Sequence, residues 1–109
     1  MSAEELAGLG RFAGPATLIL SSLAEGSKHG YAITQDVEAF AGVKLQPGTL
    51  YGALTRLEHD GLIEALAGVG RRRPYGITPR GAQALAAQLS AQRHVASVGL
   101  GRLSTAATS

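Results

Sequence analysis

The densest charge in the chain is a run of three adjacent arginines: Arg71, Arg72 and Arg73. Gly68 and Gly70 precede the run and Pro74 follows it, a composition typical of an exposed loop. Guanidinium groups stay charged at any physiological pH and bind phosphate through paired N–H donors. The arginines are therefore suited to binding a polyanion, and this favours contact with the phosphate backbone of a nucleic acid.

A second set of candidate residues lies between Pro47 and Asp60. Leucines recur there at helical spacing, so we expect a helix with one buried face. At 100° per residue, the opposite face carries small or hydrogen-bonding residues, flanked by larger polar ones: Gly48, Gly52, Thr55 and His59, flanked by Thr49, Tyr51 and Arg56. Small residues let a helix approach a groove floor, and hydroxyl and guanidinium groups bond to phosphates or base edges. The residues alone leave open an ordinary solvated face, and a Tyr51 ring packed in the core.

The residue types give little support for catalysis or for metal binding. The chain has no cysteine, which excludes disulfides, zinc–cysteine sites and thiol nucleophiles. His29, His59 and His94 stand in no motif that activates a nucleophile or holds a metal. We therefore expect no enzymatic activity, no metal and no cofactor.

Helical segments precede the arginine loop. Pro15 suits the first turn of a helix, and the apolar run after it predicts a buried helix that stops at Gly26. A second helix is predicted from Gly30 to Phe40, with an apolar stripe of Ile33, Val37 and Phe40. The helix from Pro47 follows after a short turn, as in a helix-turn-helix.

Two short strands and a last helix complete the order. Leu62 to Leu66 and Tyr75 to Thr78 predict a hairpin whose connection, Ala67 to Pro74, is the arginine loop. Thr78 followed by Pro79 is a helix-start signal, a hydroxyl N-cap before proline. We expect that helix to run towards Val98 and to loosen at the two glycines beyond it.

These elements predict a mainly α fold with a small β-hairpin, a winged helix-turn-helix followed by a C-terminal dimerisation helix. We expect an N-terminal arm or short helix at 1–13, a DNA-binding domain at 14–78, the last helix at 79–103 and a disordered tail at 104–109. The last helix offers a thin seam at alternating four- and three-residue steps: Leu85, Leu89, Gln92, Ala96 and Leu103. The seam favours a homodimer, although the helix could instead pack on its own domain.

Charge is unevenly distributed along the chain. The net charge is only +2, yet residues up to 70 hold four bases against eight acids, and residues from Arg71 onward hold six arginines and no acid. This asymmetry suggests a segment that faces a polyanion, and a solvated basic tail is the alternative. The start of the chain carries Glu4 and Glu5 rather than the basic residues of a secretory signal. No apolar run approaches the ~20 residues that a membrane-spanning helix needs. We expect a cytoplasmic protein without a membrane span.

Several stretches match motifs of a known family. Lys28 to Ile33 (K-H-G-Y-A-I) resembles the H-G-Y-x-I/L element of PadR-like transcriptional regulators. Leu45 to Glu58 (L-Q-P-G-T-L-Y-G-A-L-T-R-L-E), followed by G-L-I, resembles their recognition-helix signature. Arg71 to Thr78 (R-R-R-P-Y-G-I-T), followed by Gly81, resembles their wing and return strand. Gln46 and Gly52 depart from the usual pattern, where a small hydroxyl residue and proline are common, and leave the operator sequence open.

The resemblance implies a homodimeric winged-helix repressor of the small form with a single C-terminal helix. It implies that the third helix contacts operator DNA, and that the wing and the Lys28-to-Tyr31 corner hold phosphates. The predicted DNA-binding residues are Lys28, His29, Tyr31, Gln46, Gly48, Thr49, Tyr51, Gly52, Thr55, Arg56, Arg71, Arg72, Arg73 and Tyr75. A winged helix used for protein association is the alternative function.

Some members of that family sense drugs or phenolic compounds at the dimer interface. The last helix here has no aromatic residue, and Phe12 in the N-terminal arm is the only candidate nearby. We expect no tightly bound planar ligand, and an unidentified small-molecule effector is left open. The regulated gene, and repression as against activation, are equally open at this stage.

Overall fold

Three short helices, a two-stranded hairpin and one long helix follow one another in the part of the chain that the structure describes. The structure is a computed structural model that describes residues 14–68 and 72–108. The helices are α1 (Pro15–Leu23), α2 (Gly30–Ala41), α3 (Pro47–His59) and α4 (Pro79–Thr108), and the strands are β1 (Ile63–Ala65) and β2 (Tyr75–Ile77). This confirms the predicted mainly α fold with a small hairpin. The predicted N-terminal arm, with Phe12, and Arg71 lie outside the described residues.

Proline and glycine set most of the helix boundaries. Pro15 and Pro47 occupy the first turns of α1 and α3, where a missing N–H costs no hydrogen bond. Gly42 caps α2 and Gly61 follows α3, with φ of 68° and 76°. This left-handed conformation suits glycine, and it turns the chain after each helix. The short turn between α2 and α3 gives the helix-turn-helix its geometry.

The core forms where the apolar faces of the first three helices meet the hairpin. Its most buried side chains are Ile19, Leu23, Ile33, Val37, Leu54 and Ile63. Phe40 was predicted to belong to this apolar face, and the prediction is wrong, because its side chain is 51% exposed. Phe40 lies in the last turn of α2 at the edge of the stripe, beyond the residues that the neighbouring helices cover.

The hairpin is tied to the start of α2 by a pairing that the sequence did not reveal. β1 and β2 are antiparallel, with Ile63 opposite Ile77. Lys28 extends this sheet, because its N–H donates to the Tyr75 carbonyl at 3.1 Å and the Tyr75 N–H donates back at 2.8 Å. The base of the wing is therefore fixed to the residues that lead into α2.

Thr78 joins the end of α3 to the start of α4. Its hydroxyl donates to the Gly61 carbonyl at 2.7 Å and accepts from the Gly81 N–H at 3.0 Å. The predicted N-cap is thus present. Gly81 packs so closely that a Cβ there would lie 2.0 Å from the Leu62 carbonyl oxygen. These contacts hold the first turn of α4 against the hairpin.

The remainder of α4 departs from two predictions. The helix continues through Gly99 and Gly101 to Thr108, so the disordered tail predicted from Ser104 is wrong up to Thr108. The Thr105 hydroxyl donates to the Gly101 carbonyl at 3.0 Å, and the alanines that follow favour a helix. Leu85, predicted for a dimer seam, is 6% exposed and belongs to the chain's own core.

Candidate nucleic-acid interface

The outward face of α3 is an open ridge of small and polar residues. Gly48, Gly52, Thr55 and His59 are all exposed, while Leu50, Leu54 and Leu57 are buried on the opposite side. A Cβ at either ridge glycine would meet nothing within 4 Å. The ridge therefore has the exposure that the helical spacing predicted, and its backbone is accessible to a large partner.

Thr55, on this ridge, has a restricted hydrogen-bonding role. Its hydroxyl donates to the Tyr51 carbonyl one turn earlier, at 2.9 Å. With that proton engaged, the oxygen can only accept a hydrogen bond from a partner. The methyl group supplies an apolar contact beside it, as a thymine methyl group would require.

One flank of α3 opens onto a concavity shared with the wing and the start of α2. The concavity measures about 550 Å³ and is lined by His29, Gly30, Tyr31, Tyr51, Arg72, Arg73 and Tyr75. It brings together all three tyrosines of the chain. Arg72 and Arg73 are exposed, so their guanidinium groups are available to an anion. These seven residues come from three separate stretches of sequence.

Tyr51 stands at the rim of this concavity. Its side chain is 53% exposed, so the alternative of a core tyrosine is wrong. The hydroxyl lies against the start of α2, at 2.9 Å from the point where a Cβ on Gly30 would be. Tyr31 is 74% exposed on the neighbouring helix, and its hydroxyl accepts a hydrogen bond from the Gln35 amide at 3.2 Å.

Tyr75 forms the floor between the wing and α3. Partial burial raises the pKa of its phenol, and the charge of Glu58, followed by that of Tyr51, raises it further. Arg73 acts in the opposite direction with a smaller effect. Tyr75 therefore stays neutral at physiological pH, as a hydrogen-bonding group beside the wing arginines.

The other flank of α3 faces a second concavity. This one measures about 540 Å³ and lies between α3 and the first turn of α1, and its α3 side includes Gly48, Thr49, Gly52 and Arg56. Gln46 is exposed at the N-cap of α3, where its side chain makes no capping hydrogen bond. The predicted DNA-binding residues of α3 thus divide between two sides of one ridge.

Lys28 is held by ion pairs within the protein. Its ammonium lies 2.8 Å from a Glu25 carboxylate oxygen and 3.8 Å from one of Asp36, and it donates to the Ser22 carbonyl. Only 15% of its side chain is exposed. These contacts disfavour the predicted phosphate contact, because the charge of this cation is already paired inside the protein. The sequence signal that would have shown this is the pair of acids three and eight residues away.

Neither a metal-binding cluster nor a membrane-spanning helix is found among residues 14–68 and 72–108. No cluster of three or more His, Asp or Glu side chains there could hold a metal ion. In the same part of the chain, no helix combines the length and apolarity that a membrane crossing requires.

Comparison with known proteins agrees with this geometry. The model of the transcriptional regulator PadR-like family matches residues 19–87. The transcriptional regulator Rv3488 of Mycobacterium tuberculosis is 44% identical over 70 residues, which cover 62% of this chain and 64% of that protein. An uncharacterized 37.1 kDa protein in a transposon of Streptomyces fradiae is 48% identical over 68 residues, covering 62% of this chain and 20% of its own length. The chain thus spans less than two thirds of either curated relative.

Two solved structures share this fold. A PadR family transcription regulator from Clostridium difficile is 30% identical, with a TM-score of 0.69 over 77% of this chain and 92% of that one. A transcriptional regulator from Clostridium thermocellum is 31% identical, with a TM-score of 0.67 over 76% of this chain and 86% of that one.

Proposed function

This chain belongs to the PadR-like family of transcriptional regulators, and from that premise we propose that it is a sequence-specific DNA-binding repressor that acts as a cytoplasmic homodimer. One observation carries the proposal. Tyr51 on the flank of α3, the start of α2 and the wing arginines Arg72 and Arg73 line one concavity, and the exposed ridge of α3 lies next to Tyr51 on the same helix. A duplex laid on that surface would meet hydrogen-bonding groups and positive charge together.

The dimensions of α3 suit the major groove. A helix with its side chains is about 10–12 Å across, and the groove is about 12 Å wide. With the Gly48–Gly52 ridge towards the base pairs, the two flanks of the helix would face the two sugar–phosphate strands. Tyr51 would lie towards one strand, and Thr49 and Arg56 towards the other.

Base recognition in this arrangement falls to the ridge and to Tyr51 on its flank. The two glycines allow the α3 backbone close to the groove floor. Thr55 would accept from an amino group of adenine or cytosine, or place its methyl group against that of thymine. The groups that line the first concavity would position the protein on the duplex, with His29, Tyr31 and the two wing arginines binding phosphates.

The last helix supports dimerisation. Beyond Leu85, α4 leaves several large apolar side chains exposed: Leu89 at 41%, Val95 at 69%, Leu100 at 68% and Leu103 at 68%. A second copy would cover them, with Gln92 and Ala96 between. Two-fold symmetry would then present two α3 ridges to half-sites about one helical turn of DNA apart. Sedimentation that finds only monomer at micromolar concentration would end this part of the proposal.

A salt series tests the DNA-binding role. A duplex selected by the protein from a random pool is titrated at several salt concentrations. We expect the logarithm of the binding constant to fall linearly with that of salt, with a slope of roughly −0.9 per neutralised phosphate. Replacing Arg72 and Arg73 by alanine should make the slope shallower and weaken binding to every duplex. A flat salt response would favour the protein-association alternative.

A matched substitution separates recognition from charge. Tyr51→Ala leaves the wing arginines in place, so we expect it to lower the preference for the selected duplex more than the affinity for a scrambled one. Equal losses on the two duplexes would show that Tyr51 only supplies affinity.

A further inference from the structure

We propose that Gly30 positions Tyr51 for DNA recognition, so that α2 sets the orientation of a side chain on the recognition helix. This inference rests on the proposed function. It assigns to Gly30 a role in discrimination between duplexes, beyond its place in the fold.

The space at Gly30 is taken by the Tyr51 side chain. A Cβ on Gly30 would lie 2.9 Å from the Tyr51 hydroxyl oxygen and 3.4 Å from Cζ of the ring. Real Cβ atoms are essentially never found closer than 3.0 Å to another heavy atom, so one of the two side chains would have to move. The tyrosine would move, because its hydroxyl is the free end of a half-exposed side chain.

The backbone gives no other reason for glycine here. Gly30 is the first residue of α2, and it is not among the glycines with positive φ. Alanine fits this conformation and is a better helix former than glycine. The missing side chain therefore serves the neighbouring residue rather than the local backbone.

The direction in which Tyr51 would move follows from its surroundings. The same Cβ would lie 3.5 Å from Cδ2 of Leu50, a buried core residue on the inner side of α3. With the inner side filled, the phenol can move only outward, into the concavity that holds Arg72 and Arg73. The ring would then leave the position from which it is proposed to discriminate between duplexes.

The test combines Gly30→Ala with Tyr51→Phe. We expect Gly30→Ala to leave the thermal midpoint unchanged or higher, to weaken the selected duplex about tenfold, and to leave a scrambled duplex nearly unaffected. Phenylalanine removes the 2.9 Å contact and keeps the ring, so in the Tyr51→Phe background Gly30→Ala should change affinity less than twofold. Gly101→Ala is the matched control, because a Cβ there meets nothing within 4 Å and the residue lies off the dimer seam, and it should leave duplex affinity unchanged.

The outcomes distinguish the two proposals. If the wild-type protein prefers the selected duplex and Gly30→Ala has no effect, or the same effect in both backgrounds, the positioning role is refuted and the DNA-binding role stands. A loss of duplex affinity that comes with a lower thermal midpoint would also refute it, because it would indicate a structural role. If the wild-type protein does not discriminate between the duplexes, the proposed function fails and the inference fails with it.

Discussion

Replacing Lys28 by methionine separates a structural cation from a DNA-binding one. Methionine keeps most of the apolar stem, so the substitution removes mainly the charge. The ammonium donates to the Ser22 carbonyl and lies within 4 Å of Glu25 and Asp36. A hydrogen bond to a charged group contributes about 1.5–3 kcal/mol. Glu25 is 69% exposed, so its pair adds little.

We therefore expect Lys28→Met to lower the free energy of unfolding by about 2 kcal/mol, which for a domain of this size is a fall of roughly 10 °C in the thermal midpoint. Urea denaturation measures the first quantity and a thermal scan the second. The salt slope of duplex binding should not change, because the ammonium is already paired.

Arg73→Met is the matched control, since Arg73 is exposed on the wing. It should leave the unfolding free energy nearly unchanged and make the salt slope shallower by roughly 0.9 per protomer. If Lys28→Met instead reduces the salt slope and leaves stability intact, the ammonium binds phosphate and the reasoning from its ion pairs is refuted.

Three further predictions concern the hairpin and the start of α4. Thr78→Val removes the hydrogen bonds to Gly61 and Gly81, so urea denaturation should show a free energy of unfolding lower by about 2 kcal/mol. Thr78→Ser keeps the hydroxyl and should lower it much less, and equal stability of the two variants would contradict the capping role. Gly81→Ala should lower the thermal midpoint sharply, because it places a Cβ 2.0 Å from the Leu62 carbonyl oxygen. An unchanged midpoint would show that α4 shifts freely on the hairpin. Because the folded state raises the pKa of Tyr75, its stabilising contribution is present below about pH 10 and is lost as the pH rises through the folded value. The unfolding free energy of the wild-type protein should therefore fall more steeply as the pH rises above about 10 than that of Tyr75→Phe, and parallel curves would contradict the assignment.

The sequence predicted the elements wherever a local signal controls them. Pro15, Pro47 and the Thr78-Pro79 pair mark helix starts, and the structure begins helices at or beside each of them. Gly42 and Gly61 mark ends because they supply the left-handed conformation that closes a helix. The exposed ridge of α3 followed directly from its 3.6-residue period.

Several of the failures depend on contacts between distant residues. Nothing local indicates that the backbone of Lys28 pairs with Tyr75. Leu85 fitted a dimer seam by spacing alone, and only the packing of the first turns of α4 shows that it belongs to the core. The concavity shared by α2, α3 and the wing is likewise a product of tertiary structure, although its residue types were identified from the sequence.

Backbone NMR of the labelled protein, titrated with the selected duplex, tests the central claim most directly. The account predicts that amide shifts change along the ridge from Gly48 to His59, at His29 to Tyr31 and at the wing residues Arg72 to Tyr75. It predicts little change at the end of α2 near Phe40, which lies away from that surface. Shifts confined to Phe40 and its neighbours or to the exposed half of α4, with the ridge unaffected, would contradict it.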